Sequence, residues 1–254
     1  MGGAEAPTVL AADNQRVKRA RRLARSRRAR ADEHCFVIES PGLITDAVDA
    51  GIGVEFVLVP EGTGFHPSVI DTFAVAPRVF DGLSTTSAPQ PALAVAQCPE
   101  RTVPAGSGVV LALAGVADPG NAGTLIRAAE AAGAVGVWMI EPAVDPFGPK
   151  TVRASAGSVF RLAVAPLAPD AFMATTARLE VWGAAAHGGV APDQADLAGS
   201  PVLVLGSEAH GVDRALGVRQ WLTIPMDGGP ESLNVAMAGT VIMFEARRQR
   251  RESR

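Results

Sequence analysis

The sequence contains no tyrosine and only two cysteines, and aromatic side chains make up 5% of its 254 residues. The cysteines, Cys35 and Cys98, do not form a CxxC pair, so the sequence predicts neither a disulfide framework nor a zinc site. No apolar run reaches the roughly 18 residues that a membrane-spanning helix needs, and the N-terminus lacks the apolar core of a signal peptide. We therefore expect a cytoplasmic protein that contacts no membrane and binds no metal.

Charged residues make up 19% of the chain, and their two signs are unevenly distributed. Residues 1–30 carry nine Lys or Arg and two acids, a net charge of +7, and residues 247–254 carry five Arg and one acid, a net charge of +4. Residues 31–246 carry nine basic and 23 acidic residues, a net charge of −14. The overall charge of −3 therefore hides two basic ends on an acidic body, which is compatible with a polyanionic partner.

Short β-like and helix-like segments alternate along the whole chain. The first of these groups ends near Cys98, and the next ten residues, PERTVPAGSG, contain two prolines and two glycines, which indicates a linker. Beyond it, five strands that are apolar on both faces alternate with helices, which is typical of a parallel sheet, and the last helix runs from Leu233 to about Arg250. The sequence thus predicts an N-terminal domain over 1–98, a linker over 99–107 and a C-terminal domain over 108–254.

The segment GVADPGNAGTLIRAAEAAG predicts a tight turn that enters a helix, where free backbone N–H groups can meet an anion. Asp118 and Pro119 occupy positions where a dinucleotide-binding loop needs glycine, which argues against a nicotinamide cofactor although Glu141 follows the next strand. Read alone, the segment also fits an ordinary helix start with a solvent-exposed Arg127.

Two further segments contain irregular turns. Gly206, Ser207, Glu208 and Gly211 follow the strand PVLVL, where open α/β sheets bind ligands, but they also fit an ordinary strand-to-helix turn. In IPMDGGPESLNVAMAGTVIMFE, Ser232 lies at the entry to the last helix, and read alone it favours a helix N-cap.

Taken together, in this order and spacing, the three segments resemble the SpoU family of the SPOUT superfamily, the S-adenosylmethionine-dependent RNA ribose 2′-O-methyltransferases. DPGNAGTLIRAAEAAG, VLVLGSEAHGV and IPMDGGPESLNVAMAGTVIMFE are similar to the first, second and third motifs of that family, and the likeness covers about 150 residues. The segment from Arg16 to Gly51 is similar to the ribosomal-protein-like substrate-binding domain that many members carry. One departure is Ser40, which stands where a glycine usually follows the glutamate.

The resemblance implies an α/β fold with two parts, a small N-terminal RNA-binding domain and a C-terminal SPOUT domain with a parallel sheet and a deep trefoil knot. It also implies a homodimer through the C-terminal domain and S-adenosylmethionine bound in the knot. We expect Gly206 to serve there because a missing side chain lets the adenosine approach the backbone closely. The cofactor-binding residues implied are Leu205, Gly206, Ser207, Glu208, Gly211, Ile224, Pro225, Met226 and Leu233.

The resemblance assigns five residues to catalysis, namely Asn121, Arg127, Glu208, Ser232 and Asn234. We expect Asn121 and Glu208 to fix Arg127 and the ribose, and Asn234 to hold the third motif in shape. A guanidinium, with a pKa of about 12 or more, seldom gives up its proton. We therefore prefer a phosphate-anchoring role for Arg127, which lowers the pKa of the ribose hydroxyl, over the role of general base, and the sequence leaves both roles open.

The basic N-terminal segment is helix-compatible throughout, with a thin apolar stripe at Val17, Ala20, Leu23 and Ala24. Like charges at this density repel each other, so a polyanion that neutralises them is favoured over a merely solvated helix face. Because aromatic residues are scarce, we expect recognition of RNA shape and phosphates rather than base stacking. The predicted RNA-binding residues are Arg16, Lys18, Arg19, Arg21, Arg22, Arg25, Arg27, Arg28 and Arg30, and the C-terminal arginines are expected to matter less.

Three functions remain in competition at this point. The leading one is 2′-O-methylation of a ribose in ribosomal RNA, specifically the 23S RNA of the large subunit. The second is the same reaction on transfer RNA, and the third is a noncatalytic RNA-binding protein that has kept the fold.

Overall fold

The structure is a computed structural model that describes residues 7–86, 88–228 and 232–253. The chain divides into two compact units: unit 1 comprises Met1–Glu100 and Phe147–Arg153, and unit 2 comprises Arg101–Pro146 and Ala154–Arg254. Each unit contains its own sheet and its own apolar core. The expected mixed α/β fold is therefore confirmed. The short segment Phe147–Arg153 belongs to unit 1 although the chain on both sides of it belongs to unit 2.

Unit 1 is built on a five-stranded sheet with the strand order β1-β4-β3-β5-β2, in which β5 runs antiparallel to both of its neighbours. The first strand pairs in parallel with the fourth and was not expected from the sequence. The elements of this sheet and its helices are β1 Thr8–Leu10, α1 Gln15–Arg25, α2 Arg27–Glu33, β2 Cys35–Glu39, α3 Pro41–Asp49, β3 Val54–Pro60, β4 Thr72–Val75, α4 Pro77–Asp81 and β5 Leu93–Gln97.

The basic N-terminal segment forms two helices rather than one, because the chain is extended at Ser26 between α1 and α2. The backbone N–H of Ser26 closes α1 on the carbonyl of Arg22, and its hydroxyl accepts a hydrogen bond from the N–H of Ala29 at 3.1 Å, which begins α2. The apolar stripe of α1 behaves as its spacing predicts. Its members, Val17, Ala20, Leu23 and Ala24, are all buried in the core of unit 1.

A buried carboxylate at the end of β2 holds two other segments of unit 1. Glu39 is 4% exposed and accepts hydrogen bonds from the N–H and the hydroxyl of Thr85, at 3.0 and 2.8 Å. It also forms an ion pair with Nη1 of Arg153 at 2.7 Å, while the ring of Phe147 lies 5.2 Å from that of Phe36. One ion pair and one aromatic contact thus connect Phe147–Arg153 to β2. The ion pair is needed because the buried carboxylate of Glu39 would be costly without a partner.

Ser40, the departure from the family pattern, has a positive φ of 117°. Glycine adopts this conformation without strain, whereas a residue with a Cβ does so at a cost, which explains the glycine usual at this position. Serine brings a compensation, because its hydroxyl accepts a hydrogen bond from the N–H of Leu43 and caps α3.

Unit 2 contains a six-stranded sheet in the order β11-β9-β10-β6-β7-β8, with every pair parallel. The predicted parallel sheet is confirmed, and the sequence reading missed only the short β11 at its edge. The elements after the first hundred residues are β6 Val110–Ala114, α5 Pro119–Ala131, β7 Gly136–Ile140, α6 Pro149–Ala154, α7 Ser158–Arg161, β8 Ala163–Leu167, α8 Pro169–Thr176, β9 Val181–Ala184, β10 Val202–Leu205, β11 Gln220–Leu222 and α9 Val235–Glu252.

The first and last long helices of unit 2, α5 and α9, pack against each other, and α9 also packs against β10. A side chain at Gly239 of α9 would overlap Leu125 of α5 and Leu205 of β10, so glycine allows this close approach. The helix begins after Asn234, whose side-chain oxygen accepts hydrogen bonds from the N–H groups of Ala236 and Met237. The prediction that Ser232 is the N-cap of this helix is therefore wrong, because the N-cap is Asn234, two residues later.

Two features are absent from the part of the chain that the structure describes, a membrane-spanning helix and a cluster of metal-ligating side chains. None of its helices is both long and apolar enough to cross a bilayer. Nor do its His, Cys, Asp and Glu side chains gather in groups of three or more that would hold a metal ion.

Candidate active site

A cavity of about 810 Å³ lies in unit 2, where the loops after β9, β10 and β11 meet the start of α9. Its position outside the carboxyl ends of parallel strands is where open α/β sheets bind ligands, and its volume is that of a small-molecule site. Eight of the nine expected cofactor residues line it, and Pro225 lies between two of the eight. These eight are Leu205, Gly206, Ser207, Glu208, Gly211, Ile224, Met226 and Leu233.

The loop after β10 closes on itself immediately beyond the strand. The backbones of Ser207 and Gly211 exchange hydrogen bonds of 3.1 and 2.8 Å, and the hydroxyl of Ser207 accepts another from the N–H of His210. A Cβ on Gly206 would overlap backbone atoms of Gly211 and Val212. Glycine is thus required at position 206 by the close packing of the loop backbone. The sequence suggested a different reason, namely the approach of adenosine.

Three of the five predicted catalytic residues meet beside this cavity. Nδ2 of Asn121 donates a hydrogen bond of 2.6 Å to Oε1 of Glu208, and Nδ2 of Asn234 donates one of 3.2 Å to Oδ1 of Asn121. Asn121 is itself held at the start of α5, because Asp118 caps that helix by accepting a bond from the Asn121 N–H at 2.8 Å. The three motifs, far apart in sequence, are thereby joined through side chains.

The other two predicted catalytic residues are not part of this hydrogen-bonded group. Arg127 is exposed on α5, six residues after Asn121, which turns it roughly 120° away around the helix. Within the described residues it makes no hydrogen bond or ion pair. Ser232 is exposed and lines the cavity, and residues 229–231 of the third motif lie outside the described residues.

The cavity also includes residues that the sequence reading missed. The loop 184–188 lines it after β9, together with Val212, Arg214 and Trp221. Glycine was the available signal, because the sequence AAHGG follows β9 directly. A Cβ on Gly189 would lie 2.6 Å from the carbonyl oxygen of Trp221, and Thr223 ties this loop to β11 by accepting from the Gly189 N–H and donating to the carbonyl of Ala185.

Unit 1 presents a cationic face on α1. Burial of the apolar stripe turns the residues between its members outward, at spacings of three and four that share one side of the helix. These residues line a shallow cavity of about 350 Å³, and they are Lys18, Arg21, Arg22 and Arg25, with Ser26 at the end. We call this set the α1 basic face. Arg27 and Arg28 are also exposed, and Arg28 lies 3.5 Å from Asp32.

Several of the predicted RNA-binding cations have partners inside unit 1. On the α1 basic face, Arg22 forms an ion pair with Glu33 and Arg25 donates a hydrogen bond to the carbonyl of Gly82. Arg30 is 8% exposed and donates to the carbonyl of Leu23 at 2.5 Å. The guanidinium of Arg16 lies 4.6 Å from the ring centroid of Phe73. Arg19 bonds both Glu33 and Glu55.

The same cluster sets the state of Cys35. The hydrogen bond from Arg19 lowers the pKa of Glu55. Burial, reinforced by a hydrogen bond to Glu55, raises the pKa of the Cys35 thiol to about 11, so this buried cysteine is an inert core residue.

Two family models match successive parts of the chain. Residues 108–244 match the model of the SpoU rRNA methylase family, and residues 14–94 match that of the MRM3-like substrate binding domain.

Similarity also extends over whole chains. The sequence is 32% identical over 249 residues to the 23S rRNA (guanosine(2553)-2′-O)-methyltransferase RlmP of Bacillus subtilis, covering 94% of this chain and 98% of that protein. The structure of the SpoU methyltransferase AviRb from Streptomyces viridochromogenes in complex with AdoMet superposes with a TM-score of 0.85 at 28% identity, covering 95% of this chain and 100% of that one. An AdoMet-bound rRNA methyltransferase from Sinorhizobium meliloti gives a TM-score of 0.83 at 28% identity, with coverages of 95% and 97%.

The close packing of the loop after β10 predicts that a methyl group added at Gly206 disturbs the loop. Gly206→Ala places a Cβ inside the Gly211 and Val212 backbone, so the loop must move. Because overpacking costs about 1–3 kcal/mol, we expect a lower melting temperature and affinity for S-adenosylmethionine reduced roughly tenfold or more in calorimetric titration. Gly199→Ala is the control, since a Cβ there meets nothing within 4 Å. Affinity equal to wild type in Gly206→Ala would contradict this account of the loop.

Proposed function

Since the chain belongs to the SpoU rRNA methylase family, we propose that it transfers a methyl group from S-adenosylmethionine to the 2′-hydroxyl of a ribose in 23S ribosomal RNA. The observation that carries this proposal is the joining of Asn121, Glu208 and Asn234 beside a cavity lined by the expected cofactor residues. The RNA named for RlmP, which this chain matches over nearly its whole length, supports the choice of 23S RNA. Such a substrate also implies action in the cytoplasm.

The residues of the cavity fit S-adenosylmethionine. Leu205, Ile224, Met226 and Leu233 supply apolar surface for an adenine ring, and the closed loop 206–211 supplies backbone groups at close range. When bound, the cofactor supplies an electrophilic methyl group on its sulfonium sulfur.

Glu208 is the group in this chain best placed to hold the ribose. Asn121 fixes the carboxylate through Oε1, and Oε2 has no partner among the described residues. We assign Oε2 to accept a hydrogen bond from a ribose hydroxyl, an interaction strengthened by the negative charge. Asn234 keeps Asn121 in the orientation that this requires, so the three side chains position the nucleophile, which is most of what an in-line transfer needs.

Arg127 is assigned to the RNA. Its exposure on α5 leaves the guanidinium available to a phosphate of the target nucleotide, and a cation there lowers the pKa of the adjacent hydroxyl. Ser232, at the cavity wall, is assigned to the same nucleotide.

Arg127→Ala separates this role from cofactor binding. We expect methyl transfer from tritiated S-adenosylmethionine to 23S RNA to fall by roughly 100-fold or more, because a positioned cation acts on charge that develops during the reaction. Cofactor affinity in calorimetry should stay at the wild-type value, since Arg127 does not line the cavity. A variant that loses cofactor binding would remove Arg127 from the role proposed.

We propose that the protein is a homodimer formed through unit 2. An apolar stripe on α9 supports this, because Met237, Val241 and Phe244 recur at helical spacing and are 63%, 47% and 41% exposed. Contiguous exposed apolar surface of this kind marks an interface, and a two-fold dimer buries the same stripe twice.

Val241→Glu tests this interface by placing a charge in the middle of the stripe. We expect the wild-type protein to sediment as a dimer at micromolar concentration and the variant to sediment as a monomer. Val69→Glu is the matched control, because Val69 is 80% exposed but lies in unit 1. A monomeric wild-type protein would refute the dimer.

We further propose that residues 1–98 bind the RNA substrate, that 99–107 link the two parts and that 108–254 carry out the transfer. The α1 basic face, with Arg27 and Arg28, provides phosphate contacts, whereas Arg16, Arg19 and Arg30 hold the two basic helices in place. The deep trefoil knot belongs to the same proposal, and membership of the SpoU family supports it.

The α1 basic face predicts a change in salt dependence. Each phosphate contact adds roughly 0.7–0.9 to the log–log slope of affinity against salt, so the triple substitution of Lys18, Arg21 and Arg25 to Gln should make the slope shallower by about 2–3. A second triple variant, with Gln at Arg78, Arg178 and Arg219, removes the same charge from other exposed positions. Equal slopes for the two variants in filter binding would leave the α1 basic face without an RNA role.

Transfer RNA is the competing substrate. A structure titled for 2′-OH methylation of C/U34 on tRNA covers 57% of this chain, with a TM-score of 0.53. RlmP and the rRNA methyltransferase from Sinorhizobium meliloti cover 94% and 95% of it. Parallel methylation of 23S RNA and transfer RNA with tritiated cofactor decides between them. A noncatalytic RNA-binding protein would methylate neither, and the intact Asn121, Glu208 and Asn234 group argues against it.

A further inference from the structure

The cavity contains one strongly basic side chain that none of the three sequence motifs includes. Among the described lining residues, the acidic and basic side chains other than histidine are Glu208 and Arg214, and the lining also includes His187 and His210. Glu208 is already held by Asn121. Arg214 has no hydrogen bond or ion pair to another side chain within the described residues, so its charge is available to a ligand.

Local structure keeps Arg214 at the cavity wall. It begins a single 3-10 turn, Arg214–Leu216, which Asp213 caps by accepting a hydrogen bond of 2.9 Å from the Ala215 N–H. The turn is anchored below by the buried Leu216 and closes at Gly217, whose φ of 71° is a conformation that favours glycine.

The Arg214 side chain is also oriented by an aromatic ring. Its guanidinium lies 5.9 Å from the ring centroid of Trp221, which lies on β11 and lines the same cavity. A guanidinium that lies over a ring keeps its N–H edge free for a planar anion, and arginine binds carboxylates through two parallel hydrogen bonds.

S-adenosylmethionine carries such an anion, the carboxylate of its methionine part. In a cavity whose other full charge is the negative Glu208, that carboxylate needs a cation to offset its desolvation and the repulsion between like charges. We propose that Arg214 binds the methionine carboxylate and so fixes the amino-acid end of the cofactor. This assignment rests on the proposed function and adds a residue to it from outside the three motifs.

Two ligands that share the adenosine and the sulfur isolate this contact. S-adenosylhomocysteine has the amino-acid end, whereas 5′-methylthioadenosine lacks both the carboxylate and the ammonium group. Arg214→Gln should weaken S-adenosylhomocysteine by roughly 10- to 50-fold in calorimetric titration, the range expected for a hydrogen bond to a charged group. The affinity for 5′-methylthioadenosine should change less than about twofold, because that ligand has nothing for Arg214 to bind.

Two more variants sharpen the test. Arg214→Lys keeps the charge but loses the planar fork, so its affinity for S-adenosylhomocysteine should fall between those of wild type and Arg214→Gln. Arg219→Gln removes an exposed cation five residues further along, outside the cavity lining, and should bind both ligands like wild type.

Three results would overturn the assignment. Equal loss of both ligands in Arg214→Gln would mean that the residue supports the cavity wall, and unchanged affinity for both would mean that it contacts neither. Weaker RNA binding with normal affinity for S-adenosylhomocysteine would assign Arg214 to the RNA. Failure of the wild-type protein to bind any of these adenosine ligands would instead refute the proposed function.

Discussion

The backbone of Gly206 lies against the backbone of Gly211 and Val212 with no room for even a methyl group between them. This contact folds the loop after β10 back on itself, so that Ser207 and Gly211 can exchange backbone hydrogen bonds. The carboxylate of Glu208 then projects from a rigid turn and meets Asn121, which in turn is bound by Asn234 at the start of α9. Because a turn of this kind loses little freedom on ligand binding, the site is organised before a ligand arrives.

Burial decides which of the many arginines are available to a partner. In α1 the apolar stripe fixes the rotation of the helix, and the cations between its members must then face solvent. Those at the edge of the stripe find partners within unit 1, as Arg16 does over Phe73 and Arg19 does between two glutamates. The same rule applies in unit 2, where Arg214 lies at the cavity wall and forms no ion pair with an acidic side chain of the described residues. Charge count alone would treat these residues as equivalent.

Sequence reasoning predicted the strands of unit 2 because each is a continuous apolar run between helices, whereas β1 and β11, three residues each, are too short to show a period. It missed the break at Ser26 because a run of cations has no clear apolar periodicity whose interruption would mark the end of a helix. Gly206 was identified for an incomplete reason, since a sequence does not show which distant backbone will lie against a glycine. Trp221 and Arg214 escaped notice because only the folded sheet brings β11 beside the loop after β10.

Asn234 uses both ends of its amide, and this restricts which residues can replace it. Its oxygen accepts from two backbone N–H groups at the start of α9, while its nitrogen donates to Asn121. Aspartate would cap the helix equally well but has no N–H to donate and would add a second negative charge near Glu208. Serine would also cap the helix but is too short to reach Asn121, and glutamine carries an extra methylene that moves the amide away from the cap. The position therefore accepts one side chain of the twenty for both tasks, and variation there would separate the stability of the last helix from the alignment of the site.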